Sequence, residues 1–336
     1  MNIKKIEIKN FKSIRDVVIE DIKPIVGLWG KNGVGKSSIL QALVVLRAVV
    51  LRGSLKDLRD YGIEWSTVGD FIYKNANHIN IKIYDEQNRF YEITIPKSGR
   101  IISRSNISVD EVYNSIRYFP PWRRIASPQS DIYELPTRDF VNNASNIHSY
   151  IHKLVHEKLY EKRNDPHREN ELDKINKWAK KFGLGDIFDV YMGAYVKGVY
   201  IDPKLKTKVP INQSGYGGNA FLPILLEAYS FSDGILLIEE PELSLHPGAQ
   251  SEVLEFFIEM TKERGHQIIF TSHSDYILRK IVRKYRDGEI TKDFVQLLLV
   301  DKNDDGTFIE VLDLDYLKDR FEEGKDLLPH LKMRTR

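Results

Sequence analysis

The sequence contains no cysteine. Disulfides, thiolate nucleophiles and cysteine-ligated zinc are therefore excluded, and the reducing cytosol is the simplest home. Methionine is scarce, at 4 residues. With abundant Ile, Lys and Glu, this hints at a thermophilic source. Neither charge sign dominates: 50 Lys+Arg stand against 48 Asp+Glu, for a net charge of +2. Such a chain is not a general polyanion binder, and any nucleic-acid contact has to come from a local patch. Long hydrophobic runs are missing too. The most apolar stretch, Ile39 to Leu51, is interrupted by Gln41 and Arg47 and is too short to span a bilayer. The start, MNIKKIEIKNFKSI, alternates charged and apolar residues and lacks the apolar centre of a secretory signal. No tandem repeat or low-complexity tract is visible. These absences predict a cytoplasmic protein with no membrane segment.

What is present is ordinary for a folded protein. Hydrophobic residues make up 42% and charged residues 29% of 336 residues, enough for a substantial core. At about 150 residues per domain the length allows about two domains, or one domain with an insertion. Ile3, Ile6 and Ile8 alternate with Lys and Glu, and Val17 to Ile19 follow, which predicts an antiparallel hairpin with one wet face. Ile25 to Trp29 reads as a buried strand, then GKNGVGKSS as a loop and SILQALVVLRAVVL as a helix. INIKIYDEQNRFYEITI predicts a second hairpin, with its turn at Asp85–Asn88. From Asn142 to Phe182 the chain turns charged and helical, with a break expected near Pro166. ILLIEE and QIIFTS flank the helical GAQSEVLEFFIEMTKER, which predicts a parallel βαβ unit.

The chemistry concentrates in a few segments. Gly30-Lys31-Asn32-Gly33-Val34-Gly35-Lys36-Ser37 fits G-x-x-x-x-G-K-[ST]. Its glycines let consecutive backbone N–H groups turn inward around phosphate oxygens, and the following helix aims its positive end at the same anion. Lys36 would reach the β- and γ-phosphates and the Ser37 hydroxyl would ligate Mg²⁺. ILLIEEPE delivers Glu239 and Glu240 at the end of a buried strand, where ligands bind in α/β sheets; Glu239 is expected to hold the Mg²⁺ shell and Glu240 to polarise the attacking water. Ser272-His273-Ser274 ends the next parallel strand, so His273 should emerge beside the two glutamates, within reach of the γ-phosphate or the water. Ser214, Gly215 and Gly217, in the loop before the apolar helix AFLPILLEAYSF, would form a second phosphate clamp able to close on a nucleotide held by another subunit.

The order of phosphate loop, SG-x-G loop, EEPE with LHP, and TSHS resembles the ABC-type ATPase heads of the RecF, Rad50 and SMC class. Asn10-Phe11-Lys12-Ser13 matches their N-terminal NF[KR]S. GYGGNAFLPILLEA and EEPELSLHPGAQ are most similar to the AAA-15/AAA-21 ATPases, a group shared with OLD-type and Septu-like anti-phage systems. The resemblance spans residues 3 to 275. It implies an α/β P-loop NTPase of the ABC head type, with a mixed sheet, N-terminal antiparallel hairpins and a small helical lobe. The corresponding boundaries are 1–120 for the N-terminal half of the head, 121–210 for the lobe and 211–336 for the C-terminal half. ATP and Mg²⁺ are the implied cofactors, sandwiched in a head-to-tail homodimer or higher even-numbered oligomer. Lys12, Ser13, Asn32, Gly33, Gly35, Lys36, Ser37, Ser38, Ser214, Gly215 and Gly217 are the implied nucleotide contacts, with Ser214 on the partner's γ-phosphate. Ser37 and Glu239 would hold the metal, and Lys36, Glu240 and His273, the switch histidine, would serve catalysis. Ser244 and His246 would belong to the subunit-crossing loop. Two departures stand out. Glu239 replaces the usual Asp, which suggests coordination through water, and no Q-loop glutamine is evident, leaving Asp70 as its substitute. No sustained heptads predict a coiled-coil arm.

Other patterns have plainer readings. His148, His152 and His156 invite a metal, but beside Ile147, Ile151 and Val155 they read as the edge of an amphipathic helix. Asp301-x-Asn303-x-Asp305-Gly306 mimics a calcium loop, yet position twelve is Leu312, so a hairpin turn is expected. Too few residues follow His273 for a Toprim nuclease as well as the end of a head. Arg123, Arg124 and the basic runs KINKWAKK and RKIVRKYR read as solvated surface, with phosphate contact on DNA as the alternative. The expected function is ATP hydrolysis that drives or gates a nuclease, other effector or DNA-linked partner, in anti-phage defence or repair. The alternatives are a non-hydrolytic ATP-gated assembly module and a transporter ATPase, the latter disfavoured by NFKS and by SGYGG in place of LSGGQ.

Overall fold

Period-two alternation in the N-terminal third builds an antiparallel sheet. The computed structural model describes residues 1–52, 55, 58, 63, 67–74, 76–121, 151–157, 170–192, 195–213 and 215–329. In chain order its first strands are β1 (Ile3–Phe11), β2 (Ile14–Ile19), β3 (Ile25–Trp29), β4 (His78–Asp85), β5 (Phe90–Pro96), β6 (Ile102–Ser105) and β7 (Ile116–Phe119). Five of these form a sheet in the order β2-β1-β4-β5-β6, with every neighbour antiparallel. Ile6, Ile8, Ile81, Ile83, Ile93 and Ile95 face the core, while their lysine, glutamate and threonine neighbours point away. Both expected hairpins are present, the second extended by β6 into a three-stranded meander.

The second sheet needs strands that are apolar on both faces. It comprises β3 and β7 together with β11 (Ile235–Glu239), β12 (Gln267–Ser272), β13 (Val295–Asn303) and β14 (Gly306–Leu312). Their order is β14-β13-β3-β12-β11-β7. All pairs are parallel except β13 with β14, so the sheet is mixed, as expected. Every residue of β3, β11 and β12 is buried. Helix α1 (Lys36–Arg52) follows β3, and its residues from Ile39 to Val50 are almost entirely buried, Gln41 being the partial exception. A short α2 (Val109–Ser115) precedes β7.

The chain divides into two units. One consists of Met1–Pro120, Asp233–Pro241 and Phe257–Arg336, the other of Pro121–Ser232 and Glu242–Phe256. Residues 211–232, assigned to the C-terminal half of the head from sequence, cluster with the second unit. That unit contains a helical segment at 151–157, α3 (Glu171–Lys181) and α4 (Tyr216–Ser230). It also carries β8 (Ile187–Met192), β9 (Tyr195–Ile201) and β10 (Lys208–Pro210), an antiparallel sheet in the order β10-β9-β8. The lobe is therefore not purely helical: IFDVYM and YVKGVYI are rich in β-branched and aromatic residues, which favour strands. Asn170 caps α3 by accepting from the Asp173 N–H at 3.0 Å, and acids in its first turn and lysines in its last suit the helix dipole. Trp178, Phe182, Phe221 and Phe256 then form an aromatic cluster. The break expected at Pro166 lies outside the described residues.

Of the remaining helices, α5 (Pro247–Arg264) connects β11 to β12, completing the βαβ unit. Helix α6 (Asp275–Arg286) carries the RKIVRKYR run. Ile277, Leu278, Ile281 and Val282 are its buried stripe. Arg279 pairs with Asp275 and Arg286 with Asp287, in keeping with a solvated face, whereas Lys284 is buried at 8% exposure and pairs with Glu289. Helix α7 (Leu314–Glu322) follows β14.

One buried side chain ties the two sheets of the first unit together. Gln267 opens β12 and is 3% exposed. Its Oε1 accepts from the Ile3 N–H at 2.7 Å, and its Nε2 donates to the Ile3 carbonyl at 2.8 Å and the Lys23 carbonyl at 3.3 Å. The amide thus satisfies the Ile3 N–H and carbonyl at the start of β1, opposite Asp85 of β4. Replacing Gln267 with Leu would strand these backbone groups, at about 1–3 kcal/mol each. A denaturant titration of Gln267→Leu should show a loss of at least about 3 kcal/mol; an unchanged midpoint would mean that water replaces the amide.

Candidate nucleotide-binding site

The phosphate loop is held by elements from both ends of the chain. Gly35 has φ +112, and a Cβ there would lie 2.3 Å from Thr307 Oγ1 and 2.9 Å from Ser13 Oγ. Glycine is required on both counts. Thr307 is 4% exposed at the start of β14. Its hydroxyl donates to the Val34 carbonyl at 2.7 Å and lies 2.8 Å from Ser13 Oγ, while its N–H donates to the Ser13 carbonyl at 2.8 Å. Ser13, a sequence-predicted nucleotide contact, is seen here bracing the loop. The Lys36 ammonium is buried and donates to the carbonyls of Gly30 at 2.8 Å and Lys31 at 2.9 Å. Asn32 and Gly33 are exposed at the loop's tip, and Ser38 lies in the first turn of α1.

At the C-terminal end of β11, Glu239 is 3% exposed. Its carboxylate accepts from the Tyr118 hydroxyl at 2.6 Å, the Ser37 hydroxyl at 2.8 Å and the Gln41 amide at 3.4 Å. Burial pushes this carboxyl above the usual carboxylate range, and the Tyr118 and Ser37 hydrogen bonds pull it partly back. Lys12 donates from Nζ to Gln41 Oε1 at 2.5 Å and lies over the rings of Phe11 and Phe71. Burial lowers its ammonium pKa, opposed by the attraction of Glu239.

The next residue turns away from the strand. Glu240 has φ +44, and its N–H donates to the Thr271 carbonyl at 3.1 Å. Its Oε1 lies 3.9 Å from His273 Nε2. Burial and the Lys36 ammonium push the His273 pKa down, while Glu240 draws it up. Lys36, Glu240 and His273 therefore share one electrostatic neighbourhood, and a cavity of about 300 Å³ lined by Trp29, Gly30, Lys31 and His273 opens alongside.

The remaining predicted residues fall into two groups. In the second unit, Gly215 precedes α4 and no side chain caps the helix. A Cβ on Gly217 would lie 2.5 Å from the Ser244 carbonyl oxygen, so this glycine permits a backbone approach. His246 is exposed and accepts from the Gly248 N–H through Nδ1 at 3.3 Å. Ser214, Arg123, Arg124 and His148 lie outside the described residues. Asp70 is engaged locally, accepting from the N–H of Thr67, the cap of its own 3-10 turn, at 2.9 Å. Gln41 is the glutamine that touches the acid at the end of β11, and sequence reasoning passed over it. The available signal was its i,i+4 spacing from Ser37, which puts both on one face of α1. Tyr118 and Thr307 were also missed. Asp301 to Gly306 forms the expected hairpin, with Asn303 opposite Gly306.

A glycine loop between a buried parallel strand and a helix, with carboxylates at the end of a second strand of the same sheet, defines a P-loop NTPase of the ABC-ATPase head type. Residues 25–279 match the AAA-21 family model, described as "AAA domain, putative AbiEii toxin, Type IV TA system". The chain belongs to this family of AAA-type ATPase domains. An uncharacterized protein of Methanocaldococcus jannaschii, MJECL10, is 32% identical over 117 residues, covering 32% of this chain and 52% of that protein. The chain thus spans about half the length of the curated relative it matches. Among solved structures, the fold is similar to an SMC head bound to the C-terminal winged-helix domain of ScpA, with TM-score 0.63, 18% identity, and 94% of this chain and 98% of that chain covered. It is equally similar to an SMC head with an extended coiled coil bound to the C-terminal domain of ScpA from Pyrococcus furiosus, with TM-score 0.63, 16% identity, and 96% and 98% covered. At these identities the likeness establishes the fold. No helix among the described residues is long and apolar enough to cross a membrane.

The raised Glu239 pKa sets a pH dependence. A carboxyl whose folded pKa lies above its unfolded value contributes stability at low pH that is lost as pH rises through the folded value. Without nucleotide or metal, Glu239→Gln should therefore melt higher than the unsubstituted protein at neutral and mildly alkaline pH, with the gap closing on acidification. Thermal melts in chelator across that range check this; a variant melting lower at alkaline pH would refute it.

Proposed function

We propose that this chain binds Mg-ATP at the loop Gly30–Ser37 and hydrolyses it within a head-to-tail dimer, and that the cycle drives or gates a nuclease, other effector or DNA-linked partner in the cytoplasm. The observation that carries the proposal is the 2.8 Å contact between Ser37 Oγ and Glu239 Oε2. Two neighbouring ligands of an octahedral Mg²⁺, each about 2.0–2.1 Å from the ion, lie about 2.9 Å apart. The pair also offers the hard oxygen donors that Mg²⁺ prefers. Held by Ser37 and Glu239, the ion would supply positive charge to offset that of the phosphates.

The chain's own groups supply the rest. Lys36, whose ammonium rests on loop carbonyls, would exchange these for β- and γ-phosphate oxygens, and the N-terminus of α1 would add its N–H groups. Glu240 would accept a proton from a water attacking the γ-phosphorus. The bond from that phosphorus to the β-phosphate oxygen breaks, and ADP and inorganic phosphate leave. His273, whose pKa is drawn down by burial and by Lys36 against the pull of Glu240, would hydrogen-bond the γ-phosphate or the water. Lys12 and Gln41 would hold Glu239 in place. The uncapped start of α4 at Gly215 and Gly217, together with Ser214, would clamp the nucleotide of a second copy. The likeness of the fold to SMC heads that bind ScpA supports a protein partner, and the link of the AAA-21 family to a putative toxin supports an effector.

Replacing Glu240 with Gln should cut phosphate release by about 10²–10⁴-fold while leaving ATP binding intact, so that a dimer accumulates on ATP in light scattering. Lys36→Ala should remove both binding and dimer. Undiminished phosphate release by Glu240→Gln would end its assignment as the base.

A further inference from the structure

We infer a second metal site in the other unit, for a borderline transition-metal dication of the zinc class, formed by His152, His156 and Asp189. His152 and His156 are four residues apart in the helical segment 151–157, a spacing that puts both imidazoles on one face. Their ring centroids lie 4.3 Å apart in an edge-on arrangement. Asp189, on β8, brings Oδ2 into contact with His152 Nδ1. One donor atom from each of the three lies within 4.8 Å of the others. Around a tetrahedral Zn²⁺, ligands about 2.0–2.2 Å from the ion sit about 3.4 Å apart, so the three donors already lie near the spacing an ion requires.

The helix itself explains why these groups can converge. Ile151 and Leu154 are buried, at 0% and 2% exposure, and anchor the segment. The histidines flank that stripe, as the amphipathic pattern requires. The Asp189 side chain is 10% exposed and that of His152 21%, while His156 is open to solvent. Such a site holds an ion through three protein ligands and leaves the remaining position to water or to an exchangeable ligand. Two imidazoles and one carboxylate favour Zn²⁺, Co²⁺ or Ni²⁺ over Mg²⁺. The Ser37 and Glu239 oxygens have the opposite preference. The two sites would therefore sort metals by donor type. An ion here would link the helical segment to β8, a cross-link between two parts of the lobe that are distant in sequence.

The full chain, stripped with chelator and kept free of nucleotide, is titrated with Co²⁺ and followed by visible absorption, with Zn²⁺ binding measured by calorimetry. The proposal expects one equivalent of Co²⁺ to give the intense absorption of a tetrahedral site, displaced by Zn²⁺ and insensitive to excess Mg²⁺. It also expects His156→Ala, whose exposed side chain is expendable for folding, to weaken binding at least about tenfold with unchanged circular dichroism. Asp189→Asn should act likewise, and Glu239→Gln should not. No tetrahedral absorption, or Zn²⁺ affinity unaltered in His156→Ala, overturns the site and leaves His152 and Asp189 as a plain hydrogen-bonded pair. ATP binding is not involved in the readout, so failure here is distinct from failure of the nucleotide proposal.

Discussion

A buried carboxylate needs partners, and the way Glu239 obtains them organises the nucleotide site. A carboxylate removed from water without hydrogen bonds is costly, so the end of β11 can be acidic only where donors converge. Tyr118 arrives from β7, the neighbouring parallel strand, and Ser37 and Gln41 arrive from consecutive turns of α1. The same requirement that stabilises Glu239 therefore fixes how α1 lies against the sheet, and with it the phosphate loop at the helix start. Lys12, tied to Gln41, extends the network to the tip of the first hairpin.

The loop has a second support. Thr307 and Ser13 close over Gly35 and Val34, joining the β13–β14 hairpin to the β1–β2 hairpin. Asp305 at the hairpin turn adds an ion pair to Arg15 at 3.0 Å, which contributes little by itself because both groups are exposed. The buried Thr307 contacts carry the connection, since loss of that hydroxyl leaves the Val34 carbonyl without it in a dry environment. A phosphate-binding loop has to keep its N–H groups convergent before a ligand arrives, and bracing of this kind supplies that rigidity. The β13–β14 hairpin, which superficially resembles a calcium loop, is thus a part of the nucleotide site's scaffold.

Much of this was legible because it is local. The loop Gly30–Ser37, the acids at 239 and 240 and the histidine at 273 each declare themselves through neighbours in sequence: a glycine spacing, an apolar strand ending in charge, a polar triplet after a strand. The parallel βαβ unit and the N-terminal hairpins follow from periodicity. Gln41 was hidden because it interrupts an otherwise apolar helix and reads as a blemish in the core pattern. Tyr118 and Thr307 depend on pairings between strands far apart in the chain, which no local pattern encodes. The lobe was partly legible. Histidines at i and i+4 read as a helix edge, and they do flank the buried Ile151 and Leu154; the contact of His152 with Asp189 on β8 depends on a pairing that no local pattern encodes. Asp70 illustrates the converse, an acid well placed in sequence whose carboxylate is occupied by its own turn.

The glutamate at position 239, where the resemblance to ABC-type heads implies aspartate, suggested from sequence that water lies between protein and metal. The geometry argues for a simpler accommodation. The extra methylene carries Oε2 to within 2.8 Å of Ser37 Oγ, while Oε1 remains on Tyr118. The two oxygens thereby take different tasks, one facing the loop and one anchored to β7. An aspartate on the same backbone would reach less far, and could not hold both partners without moving β11 towards α1. Strand β11 is hydrogen-bonded on both sides, to β7 and β12, and has no freedom to make that move. The long side chain is therefore the one that fits this sheet, with Tyr118 as its necessary companion: removing that hydroxyl would take away the shorter of the Tyr118 and Gln41 contacts to Oε1, raise the already elevated carboxyl pKa further, and loosen the oxygen proposed for the metal.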